Sequence, residues 1–101
     1  MVCPRTAEVA GDPTLHAFRR AVASGAVPFC CQAAENGLTI EGGETLAWEL
    51  AAALAAAGQG VDRLLVQVGG GALLSACVAG LREAVALGVI PRLPRLHAVQ
   101  A

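Results

Sequence analysis

The stretch Arg63-Leu64-Leu65-Val66-Gln67-Val68-Gly69-Gly70-Gly71-Ala72-Leu73-Leu74-Ser75 decides how the rest of the chain is read. Its first six residues are almost continuously apolar instead of alternating. That is the pattern of a strand covered on both faces in a parallel sheet. Three consecutive glycines follow, and then a helix beginning near Ala72 or Leu73, with Leu74, Cys77, Val78, Leu81 and Val85 on one face and Gly88 at its end. A strand that turns through glycine into a helix serves either as a plain tight turn or as an anion site, and the entropic cost of three consecutive glycines favours the anion. Backbone N–H groups approach a ligand closely where no Cβ intervenes. The first amides of the helix have no internal partner, and the helix dipole favours negative charge at that end. In an open α/β sheet, ligands also collect beyond the carboxyl ends of the strands.

The flanking sequence fits the same architecture. Asp12 is a good N-cap, and Pro13 sits at the first helical position. Leu15, Phe18 and Val22 form an apolar stripe ending at Gly25. A second helix is expected from about Glu44 to Ala57, with Leu46, Leu50 and Leu54 on its packing face, Glu44 suiting the positive end of the dipole, and Gly58 and Gly60 stopping it. Ala33 to Gly43 reads as a polar connection. Short strands are expected at Ala7–Gly11, at Val27–Gln32 and at the end, in Leu96-His97-Ala98-Val99. Alternation of strand and helix predicts an α/β fold, three-layer αβα, with a mostly parallel sheet. No domain boundary is visible, so residues 1–101 read as one partial domain.

Composition removes several classes of function. The chain has 101 residues, 55% of them hydrophobic, and a formal net charge of -1. It has no basic excess of the kind a nucleic-acid partner requires. The longest all-apolar run, Leu50 to Ala57, falls far short of the ~20 residues that span a bilayer. The amino terminus lacks the layout of a signal peptide, so a cytoplasmic protein is expected. Cysteines stand at 3, 30, 31 and 77, with neither disulfide-framework nor zinc-site spacing. All seven basic residues are Arg. A phosphate loop of the Walker type needs a Lys after its last Gly, so that site is excluded. The dinucleotide fingerprint needs Gly at 74 or 75, where Leu74 and Ser75 stand.

Three segments in order carry a resemblance. They are Glu41-Gly42-Gly43-Glu44-Thr45-Leu46-Ala47-Trp48-Glu49-Leu50, then Val61-Asp62 leading into the strand and glycine turn quoted above, then Leu96-His97-Ala98-Val99-Gln100-Ala101. Together they resemble the fold-type II pyridoxal-phosphate enzymes, the tryptophan-synthase-β-like group that includes threonine synthase and serine/threonine dehydratase. Asp12-Pro13 and Glu35-Asn36 look like the preceding segments. The resemblance implies an enzyme of amino-acid metabolism, a lyase or synthase performing elimination or replacement on serine- or threonine-type substrates.

The resemblance further implies that Gly69, Gly70, Gly71, Ala72 and Leu73 hold the phosphate of pyridoxal phosphate through their amides. Ala72 stands where many members have a fourth Gly. Thr45 and Trp48 would lie on the helix behind the site. The family's Schiff-base lysine has no counterpart, because this chain has no Lys. No catalytic residue is therefore carried over, and the chain alone is expected to be inactive, a central fragment of such an enzyme. Gln100 stands where some members carry a metal-binding Glu, so no metal site is implied. His16, Arg19, Arg20, Arg82 and Glu83 read as surface positions, and His97 as a core or interface position. Glu41 and Glu44 could also be read as a general acid/base pair. A fragment with open apolar faces is expected to form a homo-oligomer, through Leu46, Leu50 and Leu54 or Leu74, Val78 and Leu81. The contrasting expectation is a non-catalytic α/β module that binds a phosphorylated small molecule or serves oligomerisation.

Overall fold

The computed structural model describes residues 11–100. Helix α1 spans Pro13–Ala23 and α2 spans Leu38–Ala57. Strand β1 is Arg63–Gln67, α3 is Ala72–Ala86 and β2 is Arg95–Val99. The two strands pair in parallel, with Arg63 opposite Arg95 and Gln67 opposite Val99. This is a mixed α/β arrangement of three helices and a two-stranded parallel sheet. No helix among the described residues is long and apolar enough to cross a membrane.

Where the sequence carries explicit stop and start chemistry, the elements begin and end as expected. The Asp12 carboxylate accepts from the Thr14 N–H at 2.9 Å, and Pro13 opens α1. Gly58 takes up φ 61° to end α2, a conformation that costs glycine nothing. The expected strand at Ala7–Gly11 lies, but for Gly11, outside the described residues.

Two expectations are corrected. Val27–Gln32 is not a strand. Its local polar groups serve a turn instead: the Cys30 carbonyl accepts from the Asn36 amide at 3.1 Å and from the Thr39 hydroxyl at 2.8 Å. Side-chain bonds of this kind compete with a ladder, and Val27 and Phe29 stay exposed, with nothing among the described residues to pack on. Helix α2 begins at Leu38, not near Glu44, so Ala33–Gly43 is a connection only up to Gly37. The acid in its first turn is Glu41, and Glu44 lies further along, on the buried face.

The reason for the early start lies in how α2 and α3 meet. Their contact is a seam of small residues, Gly43, Ala47 and Ala51 against Ala76, Gly80 and Ala84. A Cβ on Gly43 would come within 2.7 Å of the Ala76 Cβ. One on Gly80 would stand 2.8 Å from the Ala47 Cβ and 2.9 Å from the Glu44 carbonyl oxygen. Gly43 is thus a helical residue selected for close approach, not a break. The expected leucine face of α2 is displaced in consequence: Leu46 is 52% exposed, and Leu50 and Leu54 are half-buried. On α3, Cys77 and Leu81 are buried as expected, whereas Leu74, Val78 and Val85 are only partly so. Below the seam sits the core: Leu81, Ala84 and Ile90, with Leu64, Val85 and Leu96 packed against it.

Leu64 and Leu96 face that core, so strand alternation puts Arg63, Leu65 and Gln67 with Arg95, His97 and Val99 on the other face. Leu65 is 67% exposed there. No third layer is present among the described residues.

Candidate anion cradle at the glycine turn

Strand β1 delivers the chain to the turn, and pairing with β2 continues one step further, with the Val68 N–H donating to the Val99 carbonyl at 2.8 Å. The ladder ends there. Gly71 has φ 87° and ψ -6°, a left-handed conformation that an L side chain rarely adopts, and it caps α3 without any side-chain bond. The first helical bond is from the Ser75 N–H to the Gly71 carbonyl at 3.0 Å. Between these two points, the amides of Gly69 through Leu74 donate to no acceptor among the described residues. Free donors at a helix start carry the positive end of the dipole.

These amides border a cleft of about 420 Å³. All five residues expected to form the cradle, Gly69, Gly70, Gly71, Ala72 and Leu73, line it. Gln67 and the turn from Cys31 to Ala34 supply the remaining wall. Among the described residues no charged side chain lines the cleft, so the positive potential there is that of main-chain dipoles. Among the described residues a Cβ on Gly70 would meet nothing within 4 Å, and one on Gly69 only the Gln67 amide nitrogen at 3.9 Å. Neither has a left-handed backbone. Only Gly71 is demanded by the chain's own conformation.

Sequence reading does not find the wall Cys31–Ala34. Its residues fall at the end of a segment that looks like a strand, and nothing in their types marks them as facing the glycine turn. Thr45 and Trp48 are outside the cleft. The Thr45 hydroxyl donates to the Gly42 carbonyl at 3.0 Å, and the Trp48 indole N–H donates to Glu83 on α3 at 3.0 Å. Glu41 and Glu44 do not line the cleft either. Burial, with Glu83 and Glu41 nearby, pushes the Glu44 carboxyl above its ordinary value. Burial likewise raises the Cys77 thiol.

His16 is exposed. His97 is half-buried, its Nε2 enclosed and without a partner among the described residues. Arg19 is exposed but not wholly solvated, since its Nε donates to Glu35 at 2.9 Å and this pairing holds the Glu35 carboxyl below its usual value.

No known family model, curated protein or solved structure matches this chain.

Proposed function

We propose that the chain carries the phosphate cradle of a pyridoxal-phosphate-dependent enzyme of fold type II, acting on serine- or threonine-type amino acids by elimination or replacement. The observation that carries this reading is the run of unpartnered amides from Gly69 to Leu74, at the carboxyl end of a parallel strand and opening on an uncharged cleft. The group fits what is present. A phosphate ester needs several convergent N–H donors, and Gly69, Gly70, Gly71, Ala72 and Leu73 would supply them. Two glycines without an internal reason to be glycine leave open space where such a group would lie.

The cofactor, when bound, supplies an electron sink for the carbanion of the amino-acid substrate. This chain's own part is to bind and orient. Gly71 turns the backbone so that α3 points its free amides at the cleft, and the Cys31–Ala34 wall shields one side from water. The chain has no lysine, so it offers no side-chain amine to the cofactor aldehyde and no side-chain ammonium acid/base at the substrate carbon. It anchors the cofactor without supplying the chemistry, and alone it turns over no amino acid. The reading includes a larger sheet, continuing past the open edge of β1 into three layers. The apolar groove of about 260 Å³ along that edge, walled by Leu46, Leu50, Leu65 and Leu73, supports this. Covering it with a second copy would make a homo-oligomer. Cytoplasmic residence belongs to the same reading.

A non-catalytic module binding a phosphorylated small molecule is the second reading, favoured by the absence of lysine. Titrating the chain with pyridoxal phosphate, and separately with inorganic phosphate, while following backbone amide resonances separates the two. The first reading expects saturable shifts at Gly69–Leu73, tighter for pyridoxal phosphate and abolished in Gly70→Val. Equal response to both ligands would support the second reading. No shift in the turn with either ligand would overturn both. Release of a ketoacid from serine or threonine by the chain alone would overturn the proposed inactivity.

A further inference from the structure

The amino ends of the two strands, opposite the glycine turn, hold a separate cluster. Arg63 and Arg95 are partners in the parallel register, so their side chains leave the same face side by side. Directly opposed like charges work against strand pairing. Neither arginine has an ion pair among the described residues, where the paired acids are Glu35, with Arg19, and Asp62, with Arg92. Asp62 has two duties: its carbonyl accepts the Arg95 N–H at 2.9 Å, and its carboxylate holds the Arg92 guanidinium. Arg92 is thereby fixed at the same place. Asp62, Arg63, Arg92, Leu93 and Arg95 together wall a cleft of about 360 Å³. Three guanidiniums and one carboxylate leave two positive charges unanswered.

We propose that this cleft is an oxyanion site, taking a phosphate-type dianion between the guanidinium forks of Arg63 and Arg95. Planar forks on adjacent strands suit a group with several equivalent oxygens, and a dianion matches the uncompensated charge. Arg92, neutralised by Asp62, is a positioning residue that closes the rim. The site does not depend on the cofactor reading: Gly69 lies six residues beyond Arg63, roughly 20 Å along an extended strand.

The test is a titration of the full chain with inorganic phosphate at low salt, read by backbone amide and arginine Nε–H resonances. Saturable shifts at Arg63 and Arg95 are expected. The double variant Arg63→Gln/Arg95→Gln should bind at least about tenfold more weakly at this end, and succinate should bind the native chain at least about tenfold more weakly than phosphate. Unchanged affinity in the double variant, no saturation, or equal binding of succinate would overturn the proposal. Shifts confined to Gly69–Leu73 would overturn it while leaving the glycine cradle standing. Melting temperature is the second readout. With the repulsion removed, the variant should melt no lower than the native chain in phosphate-free buffer. Phosphate should raise the melting temperature of the native chain more than that of the variant. A variant already unstable without phosphate, or an equal phosphate response, would make the arginines structural and sink the site.

Discussion

Glycine has opposite meanings in two parts of this molecule. At the α2–α3 seam, Gly43 and Gly80 are hemmed in, and a Cβ on either would strike the facing helix. At the turn after β1, Gly69 and Gly70 face open space, and a Cβ there would touch almost nothing. The seam glycines are explained by the fold. The turn glycines, Gly71 apart, are not explained by anything among the described residues. A residue type that lowers stability in the unfolded-state comparison stands where the described fold does not ask for it, and the proposed phosphate group would use the room.

Substitutions break or sharpen this contrast. The largest effect belongs to the seam. Gly80→Val forces branched bulk against the Glu44 carbonyl and Ala47, and should cost about 3 kcal/mol in urea unfolding, as overpacking does. A loss below 1 kcal/mol would mean the helices separate easily and the seam is not tight.

The turn should split in two. Gly71→Ala, at φ 87°, should cost about 1–2 kcal/mol. Gly70→Ala should gain about 0.4–1 kcal/mol, because its backbone suits an L residue. Equal losses at the two positions would show that Gly70 is structural after all.

The smallest effect concerns Glu44. Its carboxyl is raised in the folded chain, so folding favours its protonated form. That contribution is present in acid and is lost as pH rises through the folded value. Glu44→Gln should therefore gain stability at pH 7 relative to pH 4, seen as a flatter dependence of the urea midpoint on pH. An identical pH dependence in the variant would remove Glu44 from the buried face.

Much of the fold was legible where residues act locally. Asp12-Pro13 starts α1, Gly58 ends α2, and Arg63–Gln67 shows the apolar run of a parallel strand. The remainder depended on partners that sequence does not name. Val27–Gln32 has strand-like composition, but apolar character does not specify a neighbouring ladder, and Asn36 and Thr39 capture the Cys30 carbonyl. Gly43 reads as the end of a polar connection until Ala76 is seen close against it. Leucines at every fourth position suggested a packing face, yet the alanines between them allow the closer approach. In the candidate site, the strand–glycine–helix grammar placed all five cradle residues on one cleft, while the Cys31–Ala34 wall came from a long-range juxtaposition without a local signature.

The bond from the Trp48 indole to Glu83 joins residues 35 positions apart, across the two helices. Because the chain has one tryptophan and no tyrosine, its ultraviolet emission comes from a single ring tethered at that junction. The ring is already 45% exposed, so parting of the helices would be read through loss of the indole bond to Glu83 and wetting of the ring's remaining face, making the protein its own optical gauge of whether the two rods remain clasped.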